Sequence, residues 1–161
     1  MEASSLARET GCDFVIGLGG GSSMDSAKSI AVMAANPGTY WDYIQGGSGK
    51  GLPIPCKPLP IVCITTTAGT GTEADPWTVI TKEDTQEKIG FGFRGTFPTM
   101  SIVDPELMLS VPPKLTAYQG FDALFHAVEG YMATIASPMG DMFAPVSYTH
   151  LRAHETEADL V

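Results

Sequence analysis

Phe14-Val-Ile-Gly-Leu18 is a short, continuously apolar run. A glycine cluster, Gly19-Gly-Gly21, follows at once, and then a helix-forming stretch from Met24 to Ala35. A run so short, and apolar on both faces, suits a strand buried in a parallel sheet. The stretch after the glycines has helical periodicity and stops at Asn36-Pro37-Gly38, where proline and glycine end it. Strand, glycine loop and helix in that order point to an α/β fold.

The same alternation continues downstream. Residues Glu2 to Gly11 read as the end of a polar-faced helix closed by Gly11. Thr39 to Lys57 reads as a long surface connection with aromatics inside it. Leu59 to Ile64 is a second buried strand, and Trp77 to Thr81 with Lys88 to Phe93 are strands around the polar turn Lys82 to Glu87. Met100 to Val103 is an apolar strand ending at Asp104-Pro105, where the residue before proline leaves helical geometry. Beyond Ser110 the pattern turns helical: Pro112 and Pro113 suit a helix start, and Leu115, Tyr118, Leu124, Phe125, Val128 and Met132 recur at helical spacing. A boundary therefore falls near Asp104 to Ser110. It divides an α/β part (residues 1–106) from the start of a helical part (residues 107–145).

Composition excludes several classes of function. A chain of 161 residues can bury one ordinary core. Its net charge of −9 offers no basic cluster to nucleic acid or an anionic membrane. No apolar run reaches membrane-spanning length. Cys12, Cys56 and Cys63 form no paired spacing, as expected of reduced thiols in a cytoplasmic protein.

Two loops carry ligand-binding chemistry. Gly17-Leu-Gly-Gly-Gly-Ser-Ser-Met-Asp25 joins strand to helix, where backbone amides and the helix dipole can receive a pyrophosphate. It is neither the usual dinucleotide fingerprint, since Ser22 falls at the third glycine, nor a P-loop. Ser22 and Asp25 also fit a capping box, which would need no ligand. Thr65-Thr-Thr-Ala-Gly-Thr-Gly-Thr-Glu73 follows the second buried strand, with five hydroxyls in the eight residues Thr65 to Thr72. In open α/β sheets ligands lie outside the carboxyl ends of the strands. A threonine-rich turn bonding its own backbone is the plain alternative.

The third feature is Gln119-Gly-Phe-Asp-Ala-Leu-Phe-His-Ala-Val-Glu129. Asp122 and His126 stand four apart in a helix-forming run, so both heads share one face. One oxygen donor and one nitrogen donor make half of a divalent-cation site.

Taken in order, Gly-Gly-Gly-Ser-Ser-Met-Asp, Thr-Thr-Ala-Gly-Thr-Gly-Thr-Glu and Gly-Phe-Asp-Ala-Leu-Phe-His-Ala-Val-Glu resemble the iron-containing (group III) alcohol dehydrogenase family. Val103-Asp-Pro-Glu-Leu and Val111-Pro-Pro-Lys-Leu-Thr-Ala look like that family's approach to its metal-bearing helix. The resemblance runs from about the first residue to Pro145. It implies a Rossmann-like domain for NAD or NADP, followed by an all-helical domain carrying Fe²⁺ or sometimes Zn²⁺. By that likeness Gly20, Gly21, Ser22 and Asp25 hold the pyrophosphate, and Thr66, Thr67, Thr70 and Lys88 line the rest of the cofactor groove. Asp122 and His126 match the first two metal ligands. The implied reaction moves hydride between a small primary or secondary alcohol, or its aldehyde, and the nicotinamide. The cation's part is to lower the alcohol's pKa.

The chain also departs from the family. Two further histidine ligands and a catalytic-site histidine are expected downstream, and a first βαβ unit upstream of Met1. Asp75 stands where many members carry a small hydroxyl residue. Residues 146–161 resemble translated sequencing-adapter read-through and read as a non-native tail; His150 and His154 within it are not taken for the missing ligands. The expectation is an internal fragment of a longer enzyme, inactive and poorly folded as it stands because two ligands bind Fe²⁺ or Zn²⁺ weakly. Two other readings stay open: a nucleotide-binding module without chemistry, and a glycerol dehydrogenase or dehydroquinate synthase-like enzyme on the same scaffold. Substrate identity, NAD against NADP, and homo-oligomerisation of the parent are left open as well.

Overall fold

The computed structural model describes residues 2–158, with side chains as far as Leu151. The chain forms two compact units: Met1–Thr66 with Gly71–Leu109, and Thr67–Thr70 with Ser110–Val161.

In the first unit, α1 (Glu2–Glu9) precedes β1 (Val15–Gly19), α2 (Gly21–Ala35) and a short helix α3 (Tyr40–Tyr43). Then come β2 (Ile61–Thr65), the hairpin β3 (Thr78–Lys82) and β4 (Glu87–Phe91), and β5 (Met100–Val103). A parallel sheet is ordered β1-β2-β5, with Val15 opposite Ile61 and Val62 opposite Met100. The hairpin is a separate antiparallel pair.

Alternation along the strands decides what α2 covers. Gly17, Ile61, Cys63 and Thr65 are buried, and Met24, Ala27, Ala31 and Val32 of α2 are buried too. Contact between β1 and α2 is close because residue 17 is glycine: a Cβ there would lie 2.9 Å from both the Ala27 Cβ and the Met24 Cα. The opposite face carries Ile16, Leu18, Met100 and Ile102, all exposed, although parallel sheets are ordinarily covered on both sides. A second apolar cluster joins Val32 and Met33 to Tyr43, Ile44 and Phe91. Residues 39–57, expected as a surface connection, thus hold a helical turn whose Tyr43 and Ile44 enter the core.

Polar ties lock this unit. Arg8 donates to the carbonyls of Met33, Ala34 and Asn36 at 2.6, 3.3 and 3.2 Å. A cation there meets the negative end of the α2 dipole. Buried Asn36 donates to the Val32 and Cys56 carbonyls and accepts from the Cys56 amide. All three cysteines are free thiols.

In the second unit, α4 (Pro113–Met132) and α5 (Pro138–Ala158) pack on one another. Proline at the first position of α4 forfeits only an amide that a helix start leaves unbonded. The backbone of α5 stays helical through Pro145 to Ala158. No described helix is long and apolar enough to cross a membrane.

Candidate functional site

In the first unit the two loops begin side by side. Gly19 ends β1 opposite Thr65 of β2, and the Thr66 amide donates to the Gly19 carbonyl at 3.0 Å. Gly19 has φ +141°, a conformation that side chains disfavour, and it turns the chain sharply into α2.

The helix starts at Gly21, earlier than periodicity alone indicates, with Gly20 as its cap residue. The Ser23 and Met24 amides both turn back to the Gly20 carbonyl, at 3.0 and 3.2 Å. The first-turn amides of Gly21 and Ser22 have no carbonyl behind them in the helix. No acidic side chain sits in that turn to neutralise the dipole, and Ser22 is exposed. Ser22 and Asp25 do not form a capping box. Asp25 instead accepts from the Thr72 hydroxyl at 2.7 Å and from the Val79 amide at 2.9 Å.

Asp25 belongs to a network centred on Lys28, which is completely buried. Its ammonium reaches five oxygens: the Thr72 carbonyl and hydroxyl (2.7 Å each), the Asp75 carbonyl (2.8 Å) and carboxylate (3.2 Å), and the Trp77 carbonyl (2.8 Å). Asp75, the departure from the family pattern, thus serves as an anion for Lys28 and also accepts from the Trp77 amide. The network gathers residues 72–77 onto α2 and fixes where the threonine loop ends. The sequence did hold a signal for it. Lys28 lies on the apolar stripe of Met24, Ala31 and Val32, a position where a charge must find partners.

Two groups shifted by burial are structural. Burial pushes the Cys63 thiol up, which keeps it unreactive. Burial likewise raises Tyr40, whose hydroxyl bonds Thr78 at 2.8 Å. Lys88 is exposed on β4, paired in register with Thr81.

The remaining threonines lie in the second unit. Thr67 and Thr70 are half-buried, and the Thr70 hydroxyl oxygen is itself buried with no hydrogen-bond partner. Such an orphan calls for an explanation, and a ligand is one. On α4, Asp122 is half-buried and His126 exposed, one turn apart. His126 Nδ1 lies 3.2 Å from the Gly69 carbonyl. A carbonyl can only accept, so Nδ1 donates in this contact, and Nε2 is the ring nitrogen it does not engage. Among the described residues no three metal-capable side chains cluster, so this pair is at most half of a four-donor site. His150 Nδ1 contacts the Val146 carbonyl one turn earlier, and the His154 side chain lies outside the described residues.

The family model for iron-containing alcohol dehydrogenase matches residues 1–105. The NAD-dependent methanol dehydrogenase of Bacillus methanolicus is 43% identical over 143 residues, which is 89% of this chain and 36% of the relative. The crystal structure of sulfoacetaldehyde reductase from Bifidobacterium kashiwanohense in complex with NAD⁺ is 39% identical with a TM-score of 0.80, covering 89% of this chain and 37% of that one. An archaeal halo-thermophilic alcohol dehydrogenase from a Red Sea brine pool is 40% identical with a TM-score of 0.84, over the same shares of the two chains. The chain spans about a third of the length of the curated relatives it matches. These likenesses match the Rossmann-like α/β arrangement of the first unit.

Proposed function

Because the chain belongs to the iron-containing alcohol dehydrogenase family, we propose that it carries the dinucleotide cradle and two cation ligands of an NAD(P)-dependent, metal-dependent oxidoreductase. The substrates are small alcohols and their aldehydes. The observation that carries the reading is the pairing of Gly19 with Thr66, which sets the open α2 amino terminus beside the start of the threonine loop.

In this reading the Gly21 and Ser22 amides receive the diphosphate, and Gly20 lets the backbone come close. Thr66, Thr67 and Thr70 offer hydroxyls to the rest of the dinucleotide, which gives the orphaned Thr70 oxygen a partner. Lys88 is kept as a charged contributor to the same groove. Asp25 stands beside the cradle, yet both its oxygens are already engaged, so its part is to hold Thr72 and Val79 in place. When bound, the dinucleotide supplies the hydride acceptor and the cation, Fe²⁺ or Zn²⁺, supplies Lewis acidity. The chain's own residues fit both groups: the bare helix start suits the first, and Asp122 with His126 Nε2 suits the second.

A second reading is favoured for the chain taken by itself, because no third metal-capable side chain joins Asp122 and His126 among the described residues. It is a nucleotide-binding module that does not turn over alcohol. Calorimetric titration with NAD⁺ and then Fe²⁺ distinguishes the two. Cofactor binding without tight metal supports the module, and alcohol-dependent NADH formation supports the complete enzyme.

Ser22→Asp tests the cradle itself. A carboxylate in the first turn favours the helix dipole by about 0.3–1 kcal/mol while repelling phosphate. The variant should therefore melt no lower than the parent chain and bind NAD⁺ at least tenfold more weakly. Unchanged NAD⁺ affinity would refute the assignment.

A further inference from the structure

The tip of the threonine loop has a second role that its hydroxyls do not explain. Gly69 has φ +152°, and a Cβ on it would lie 2.7 Å from the Gln119 carbonyl oxygen and 3.1 Å from the Gln119 Cα. Only glycine lets the backbone lie this close to α4. Two hydrogen bonds fix the approach. The Ala68 amide donates to the Gln119 side-chain oxygen at 3.0 Å, and His126 Nδ1 donates to the Gly69 carbonyl at 3.2 Å. Gln119, Asp122 and His126 are spaced i, i+3 and i+7, so they share a helix face.

We propose that Gly69 is a positioning residue for the cation site: its carbonyl holds His126 as the Nδ1–H tautomer and so presents Nε2 as the metal donor. Neutral histidine in water favours the opposite form, with the proton on Nε2. Without the loop, a cation would have to displace that proton or capture a minority tautomer. A carbonyl behind the ring also fixes its orientation, the usual outer-shell contribution to a histidine ligand. The segment bearing Thr67 and Thr70 is thereby tied to the helix bearing the cation ligands. Disturbing the loop for one ligand then disturbs the donor for the other. This inference rests on the reading of Asp122 and His126 as cation ligands.

The test is long-range proton–nitrogen spectroscopy of the ¹⁵N-histidine-labelled chain at about pH 8, above the ordinary range in which histidine is charged. His126→Gln assigns the His126 signals. Two variants disturb the contact by different routes: Gly69→Ala forces the loop off α4, and Gln119→Leu removes the acceptor for the Ala68 amide while keeping the glycine. In the parent chain His126 should show the Nδ1–H pattern. Both variants should shift it toward Nε2–H, and a Zn²⁺ titration followed at His126 should weaken by about tenfold or more. If Gly69→Ala loses the dispersed amides of α4, Gln119→Leu decides the matter alone.

An Nε2–H or averaged pattern in the parent chain, as a chain without this contact would give, overturns the proposal. So does an Nδ1–H pattern that survives both variants. A parent chain with the Nδ1–H form intact, but with His126 unmoved by Zn²⁺, overturns the cation reading. The positioning role falls with it, and that outcome is distinguishable from failure of the tautomer itself.

Discussion

Replacing Lys28 with methionine removes one positive charge while keeping the length of the side chain. Five oxygens lose their donor. They do not suffer equally. The Asp75 carboxylate is about a third exposed and can rehydrate. The Thr72 hydroxyl keeps its bond to Asp25. The carbonyls of Thr72 and Asp75 remain, while that of Trp77 still lies 3.2 Å from the Thr72 hydroxyl, and a buried acceptor left unsatisfied costs about 1–3 kcal/mol. Against this stands the desolvation of the lysine, which the variant no longer bears. Breaking one side of a buried ionic arrangement costs about 3–5 kcal/mol on balance. That is a large part of the roughly 5–15 kcal/mol by which a domain is stable. Trp41 and Trp77 are the chain's two tryptophans and both lie in the first unit, so their fluorescence follows that unit's unfolding in urea. The unfolding free energy should fall by about 3–5 kcal/mol, seen as a lower urea midpoint at an unchanged slope. Asp75→Asn should cost far less in the Lys28→Met background than in the parent chain. A Lys28→Met chain within about 1 kcal/mol of the parent would show that the ammonium is not the keystone of residues 72–77.

Two further outcomes concern the same unit. Gly17→Val should destabilise it by about 1–3 kcal/mol through overpacking against Met24 and Ala27, measurable by the same denaturation; a neutral result would mean that β1 and α2 can separate freely. Asp42 is held at about 2, below its ordinary 3.8, first by the Lys50 ammonium and then by the Thr39 amide. A lowered folded-state value means that its stabilisation is present above about pH 4 and lost as the pH falls toward 2. Asp42→Asn should therefore flatten that stretch of the acid-unfolding curve, and an unaltered curve would remove the carboxylate from the account.

Much of this could be read from the residues because the strong patterns were local. The apolar run after Asp13 became β1, the helical spacing after Ser110 became α4, and Asn36-Pro37 ended α2 where proline requires. The start of α2 at Gly21 was less legible, since three glycines carry no periodicity and only backbone geometry says where the helix begins. The helical turn at Tyr40–Tyr43 was hidden for a different reason. It is too short to show a period, and it is held by the Asp42 side chain accepting from Thr39 and by core contacts of Tyr43. The Asp25 carboxylate illustrates a limit of motif reasoning. The family likeness sets it at the pyrophosphate, and its partners in the fold, Thr72 and Val79, are more than forty residues away in sequence and visible only in three dimensions. The Gly69–His126 contact lies beyond sequence reasoning for the same reason, although both residues stand in motifs that were read.

The reading depends above all on a nucleotide's diphosphate resting on the first turn of α2. Titrating NAD⁺ into the ¹⁵N-labelled chain and following individual amides tests this most directly. The account predicts saturable shifts at Gly20, Gly21 and Ser22, accompanied by Thr66, Thr67 and Thr70. Shifts that leave these amides still while others move, or no saturable response at all, would contradict it.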